Sequence, residues 1–222
     1  MARPLQPALT RLLTHDDQRN VWFIGDGADC AVIDPAGDVT ELLNHCGSQR
    51  VVAILWTTLW PESVGAAISL ANHTGAATYL HADDLVIWKQ TEPERHPQGA
   101  VPDGMVLDVG CIRLESIHTP GVTSGAMCWY APSLAAVFTG DTLGLHGAGR
   151  DGGGGGGGGR GDGSRIDGRS GGDGGGVEVD RMALMSSIRA GLFTLPSETV
   201  VHPGRGADTR IGTQRWDRRF WS

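Results

Sequence analysis

The stretch ILWTTLWPESVGA, residues 54–66, reads as a buried strand running into a helix, with Thr58, Trp60, Glu62 and Ser63 in the turn between them. A turn in this position is one where proteins hold a metal. Three further stretches place reactive side chains at the ends of apolar runs: IHTPGVT with His118 and Val122, FTGDTL with Asp141, and VVHPGRG with His202 and Arg205. Imidazoles and carboxylates are zinc donors, and a bound zinc lowers the pKa of its water until hydroxide forms near neutral pH. Asp141, Glu62, His118 and His202 are the residues from which a single unconventional metal site could be assembled. A metal-free hydrolase would need Ser63 or Thr58 as nucleophile and His118 as base. No G-x-S-x-G elbow supports that route, and a serine at a helix start more often serves as a cap. His81 in YLHADD reads as a strand-end or helix-start residue, with Asp83 and Asp84 favoured by the helix dipole.

These residues need a scaffold that brings strand ends together. VWFIG and CAVID flank DGAD, a hairpin signal, and VTELLNHCG reads as a short helix ending on Gly47. VVAILW is a fully apolar strand. The helix after it carries Val64, Ala67, Ile68 and Ala71 on one stripe and stops at Gly75. ATYL is the next strand, and HADDLVIWKQ opens another helix. The second part repeats this grammar: MVLDV, CIRLESIH, AMCWY and AAVFTG read as strands, and TVVH closes as a strand. VDRMALMSSIRAGL is amphipathic, with Val179, Met182, Met185, Ile188 and Leu192 on its stripe. Strands gathered into sheets with helices outside predict a layered α/β sandwich.

With 222 residues the chain fits one domain, or two similar halves around one core, 1–115 and 116–222. The segment 149–176 contains eight consecutive glycines, which do not repay the entropy of ordering, and is expected to be a flexible loop, natural or engineered. Its RGD and IDGR strings arise easily in so biased a composition. A net charge of -7 argues against nucleic acid as a partner, which needs a concentrated basic surface. The basic tail RWDRRFWS is expected to dock its aromatics on the body with its arginines in water. No apolar run is long enough to span a bilayer, and MARPLQPALTRLL lacks the features of a signal peptide, so a cytoplasmic address is expected. Cys30, Cys46, Cys111 and Cys128 are widely spaced without C-x-x-C and read as reduced core residues.

Taken in order, AVIDPAGD, ILWTTLWPESVGA with TGAATYLHADD, IHTPGVTSGAMCWY, VFTGDTL and LPSETVVHPGRGADTRIG resemble the metallo-β-lactamase superfamily, in its glyoxalase II-like branch. The resemblance covers nearly the whole chain, from about residue 20 to residue 212. It implies a four-layer αββα sandwich. It also implies two zinc ions held by the motifs T-H-x-H-x-D-H, H-T-P-G-H-T, G-D-T-L and P-G-H-G, for hydrolysis of thioesters or related esters. This sequence keeps the frame and departs from the ligands. Thr58, Trp60, Ser63, Val122 and Arg205 stand where the family has histidines, and Glu62 stands at an aspartate position. Asp141 alone retains the family residue.

Loss of one partner behind a ligand already costs about 10–100-fold in metal affinity or activity, so losing five imidazoles should abolish the dinuclear site. No cofactor is therefore expected, and the implied role is binding, regulation or partnership with an unidentified small molecule or protein. The alternative is a metal-dependent hydrolase with a reduced site and zinc as its cofactor. Arg205 donates but does not coordinate. It is expected to pair with Asp141 or Glu62, while Trp60 and Val122 fill the pocket and make it small and dry.

Overall fold

The computed structural model describes residues 6–15, 18–95, 97, 99–145, 147–149 and 179–217. The Gly-rich loop from residue 150 onward and the tail 218–222 lie outside the described residues.

Two six-stranded mixed sheets face one another. The first takes its strands in chain order: β1 (Ala8–Leu13), β2 (Asn20–Gly25), β3 (Asp29–Ile33), β4 (Arg50–Leu55), β5 (Ala77–Leu80) and β6 (Gly99–Ala100). The hairpin β2–β3 is antiparallel as expected, whereas β3, β4, β5 and β6 run parallel and need helical crossovers. Those crossovers are α1 (Val39–Cys46) and α2 (Pro61–Thr74), with α3 (Leu85–Thr91) before β6. Asp38 caps α1, its Oδ1 accepting from the N–H groups of Thr40 at 2.7 Å and Glu41 at 3.3 Å. Gly75 ends α2 with φ +73°, its N–H closing on the Ala71 carbonyl at 2.8 Å.

The second sheet opens with the hairpin β7 (Val106–Val109) and β8 (Ile112–His118), then β9 (Met127–Ala131) and β10 (Ala136–Gly140). It therefore begins upstream of the expected seam at residues 115 and 116, because β7 pairs with β8. A short ribbon, β11 (Leu143–Gly144) with β12 (Gly147–Ala148), follows. After α4 (Arg181–Ala190), β13 (Val200–Pro203) returns parallel to β10, and β14 (Thr209–Arg210) leads into α5 (Ile211–Arg215). The spatial order is β14-β13-β10-β9-β8-β7.

Three apolar layers account for the stack of four. Val32, Ile54, Val64, Leu70 and Trp88 pack the first sheet on its helices. Trp22, Ile33, Leu55, Leu114, Trp129 and Phe138 fill the space between the sheets. Val122, Cys128, Val137, Leu184, Ile188 and Val201 pack the second sheet on α4. The expected αββα sandwich is thus observed, as an α/β fold.

Some expectations change in detail. The buried residues of α4 are Leu184 and Ile188, whereas Met182 is 85% exposed and Val179 is 41% exposed, because the helix axis is rotated from the proposed stripe. Cys111 is exposed on the β7–β8 turn, so only Cys30, Cys46 and Cys128 are core residues. Trp216 is 81% exposed rather than docked on the body. No described helix is long and apolar enough to cross a membrane.

Candidate functional site

Strand ends from both sheets converge on one small cavity of about 20 Å³, lined by Arg19, Asn20, Asp34, Thr57, Thr58, Trp60, Ser63, Gly140, Asp141, Gly204 and Arg205. Asp34, Thr57, Asp141 and Gly204 each follow the carboxyl end of a parallel strand, where α/β sheets place their ligand crevices. The two sheets are stitched here by backbone, with Asn20 N–H donating to the Gly204 carbonyl at 2.8 Å and Met127 N–H to the Thr57 carbonyl at 2.7 Å, while within the second sheet Gly204 N–H donates to the Gly140 carbonyl at 2.8 Å. The Asn20 amide adds bonds to the carbonyls of Pro203 and Gly206, each at 2.9 Å. The ends are held rigidly, so the side chains projecting from them are well positioned.

The turn quoted at the outset behaves as a helix start. Trp60 occupies the N-cap of α2 and makes no capping bond. Its indole N–H instead donates to Asp141 Oδ2 at 2.8 Å, joining the first half of the fold to the second. Ser63 lies in the first turn, and its hydroxyl donates to the Trp60 carbonyl at 2.8 Å, which is a helix-start role rather than a nucleophile's. Glu62 points to Arg19 and forms a salt bridge with it. Thr58 is buried, and its Oγ1 has no hydrogen-bond partner among the described residues.

Asp34 sits behind this row with φ +52°, a left-handed conformation that aspartate tolerates better than most residues. Its carboxyl accepts from the Thr57 N–H at 2.7 Å and the Thr57 hydroxyl at 2.5 Å. Burial pushes its pKa up to about 7; the Thr57 bonds and Arg19 oppose this, and the nearby Asp141 carboxylate reinforces it.

The expected ligand positions therefore separate into three groups. Thr58, Trp60, Ser63, Asp141 and Arg205 all reach the cavity wall. Glu62 turns to Arg19, so the guanidinium that meets it comes from a residue the sequence did not single out. Val122 is fully buried among Leu184, Ile188 and Cys128 and belongs to the core rather than the pocket. The pocket is small; hydroxyl, carboxylate and guanidinium side chains stand among its lining residues, while more of the exposed wall is apolar than polar.

The single metal site envisaged from Asp141, Glu62, His118 and His202 is not assembled. His202 is buried between Trp22 and Phe138, with ring centroids at 4.6 and 5.3 Å, and its Nδ1 is 3.2 Å from Asp208. Burial lowers its pKa, against the pull of Asp208. His118 stacks on His81 instead, with centroids 4.1 Å apart and planes 13° off parallel. Burial lowers the His81 pKa, and His118 adds to the effect. Asp84 is buried and takes bonds from Thr123 Oγ1 and Gly125 N–H, each at 2.9 Å, which fixes the turn after β5 to the loop after β8.

Sequence reasoning missed Arg19, Asn20, Asp34, Thr57, Gly140 and Gly204 as cavity residues. Asp34 was readable, since an acidic residue directly after an apolar strand is the same signal that marked Asp141. Arg19 carried no such signal, because its partner lies 43 positions away.

The sequence profile described as the metallo-beta-lactamase superfamily matches residues 15–204, most of the chain. The chain belongs to the metallo-β-lactamase superfamily. Among its relatives, the uncharacterized protein ML0493 of Mycobacterium leprae is 29% identical, covering 89% of this chain and 91% of that protein. The probable metallo-hydrolase YqgX of Bacillus subtilis is 24% identical, covering 91% and 92%. The hydroxyacylglutathione hydrolase GloC of Haemophilus influenzae is 25% identical over the same shares. The crystal structure of BLEG-1 B3 metallo-beta-lactamase superposes with a TM-score of 0.76 at 21% identity, covering 97% of this chain and all of that one. A di-iron-bound form of TTHA1623 superposes with a TM-score of 0.72 at 25% identity, covering 93% of this chain and 97% of that one.

The donors on the cavity wall differ from the ligand set that the superfamily resemblance implies. Among the described residues no imidazole or thiol lines the cavity, the retained Asp141 faces an indole N–H, and guanidinium side chains stand on the wall.

The Trp60–Asp141 bond can be tested directly. Trp60→Phe keeps the ring and removes the donor, leaving a carboxylate on the cavity wall one bond short. A loss of about 1–3 kcal/mol is expected, measured as a shift in urea midpoint at unchanged slope. A midpoint within error of the parent's would show that the bond contributes nothing.

Proposed function

We propose that this protein is a metallo-β-lactamase-fold member whose cleft works without the family's dinuclear zinc, and that it binds a small polar molecule or a protein partner instead of hydrolysing thioesters. One observation carries the reading. Trp60 stands at a histidine position of the family motif, and its indole N–H occupies the carboxylate of Asp141, the one retained ligand residue. The salt bridge between Glu62 and Arg19 and the absence of imidazoles among the described residues of the cavity wall support it.

Hydroxyacylglutathione hydrolase is the activity named for the relative GloC, and its thioester is therefore the substrate to try. The protein is expected to give no turnover of S-lactoylglutathione above the uncatalysed rate, with or without added zinc, iron or manganese. Turnover that disappears both on chelation and in Asp141→Asn would overturn the reading and restore a metal-dependent hydrolase with a reduced site. Asp141→Asn is the discriminating variant, because its oxygen still accepts from Trp60 while its charge, and most of its affinity for an ion, is gone.

A further inference from the structure

We propose that His81, Asp83 and His118 form a binding site for one divalent transition-metal ion, outside the cleft and built from residues unrelated to the family's ligand positions. One donor atom from each of the three lies within 4.8 Å of the others. The site joins the two sheets: His81 follows β5 of the first, and His118 ends β8 of the second.

The hydrogen bonds fix which nitrogens carry lone pairs. His118 Nε2 is 2.9 Å from the Ser124 carbonyl, which only accepts, so Nε2 carries the proton and Nδ1 is the open donor. Anchoring one imidazole nitrogen on a backbone carbonyl while the other binds the ion is the usual support of a metal-bound histidine. His81 Nδ1 accepts from the Asp83 N–H at 3.2 Å, so Nδ1 holds the lone pair there, 3.6 Å from Asp83 Oδ2. Both loops are held from behind. Asp84 ties the turn to Thr123 and Gly125, and Asp103 Oδ1 accepts from the His118 N–H at 2.8 Å.

Coordination requires movement. Nitrogens about 2.0–2.1 Å from a common ion lie about 3.3 Å apart, so the stacked rings must splay and the Asp83 carboxylate must swing in. Asp83 is exposed and free to do so, and His81 exchanges its long contact to the Asp83 N–H for the ion. Two imidazoles and one carboxylate suit zinc, cobalt, nickel or ferrous iron and not magnesium or calcium, which prefer all-oxygen shells. Three protein donors leave a position for solvent.

The full-length chain, stripped with chelator and dialysed, would be titrated with cobalt(II) and followed by visible absorption, then displaced with zinc. One ion per chain with d–d bands is expected, with the His81 and His118 ring-proton resonances shifting as the stack opens. His81→Gln with His118→Gln, in which glutamine can still reach the Ser124 carbonyl, should weaken binding more than about 100-fold, and Asp83→Asn about 10-fold or more. Near-UV circular dichroism confirms that each variant is folded, and the exposed Asp83 gives a test that does not disturb the core. Absence of binding at about 100 μM cobalt, or stoichiometric binding that survives the double variant, would overturn the site. Asp141→Asn should bind as the parent does. Loss of the ion in that variant would move the metal to the cleft and overturn the proposed function as well, so the two failures are distinguishable.

Discussion

Gly140→Ala is expected to cost about 3–5 kcal/mol, a large fraction of the stability of an ordinary domain. Gly140 adopts φ +53°, where an alanine pays about 1–2 kcal/mol in backbone strain. Space is the larger problem: a Cβ there would lie 1.9 Å from Thr57 Oγ1 and 2.8 Å from Thr57 Cβ. Thr57 cannot yield without loss, since its hydroxyl and its N–H both hold Asp34. Rotating the hydroxyl away leaves a buried carboxyl short of a donor, worth roughly 1–3 kcal/mol more. Melting temperature should fall by on the order of 10 °C for a chain of this size. Gly27→Ala is the internal control, because Gly27 has φ +95° and nothing within 4 Å of the added carbon. It carries the backbone strain alone. Equal losses in the two variants would mean that the packing of Gly140 on Thr57 contributes no stability.

How far the fold and site could be read from sequence follows from which interactions are local. The β2–β3 hairpin, the Asp38 cap and Gly47 and Gly75 at helix ends are written within a few residues of where they act. Motif order then identified the family and its layers. The edge strand β1 was not recognised, because it is mostly exposed and its alternation is broken by Arg11. The rotation of α4 depends on which ridge meets the second sheet, and hydrophobic periodicity alone placed Met182 on the wrong side. In the cleft, the sequence could show which imidazoles are absent. It could not show what replaces them. The Arg19–Glu62 and Trp60–Asp141 pairs join residues 43 and 81 positions apart, and the His81–His118 stack joins different sheets.

Asp34 gives a pH-dependent signature that separates its role from simple hydrogen bonding. Its folded pKa is raised to about 7, while an unfolded aspartate titrates near 3.9. Between those values the folded state binds more protons than the unfolded state, so this group makes stability fall as pH rises and levels off above about 7. The stabilisation is complete below the unfolded pKa and lost on passing the folded one. Asp34→Asn removes the titration and keeps an oxygen for the Thr57 N–H, with the Thr57 hydroxyl turning from donor to acceptor. The variant should therefore gain on the parent from pH 5 to pH 8, by on the order of 2–4 kcal/mol, in urea unfolding read at both pH values. Contributions from other ionisable groups largely cancel in the difference. Parallel stability curves would mean that Asp34 is ionised throughout, with the Thr57 bonds and Arg19 outweighing its burial and the nearby Asp141 charge.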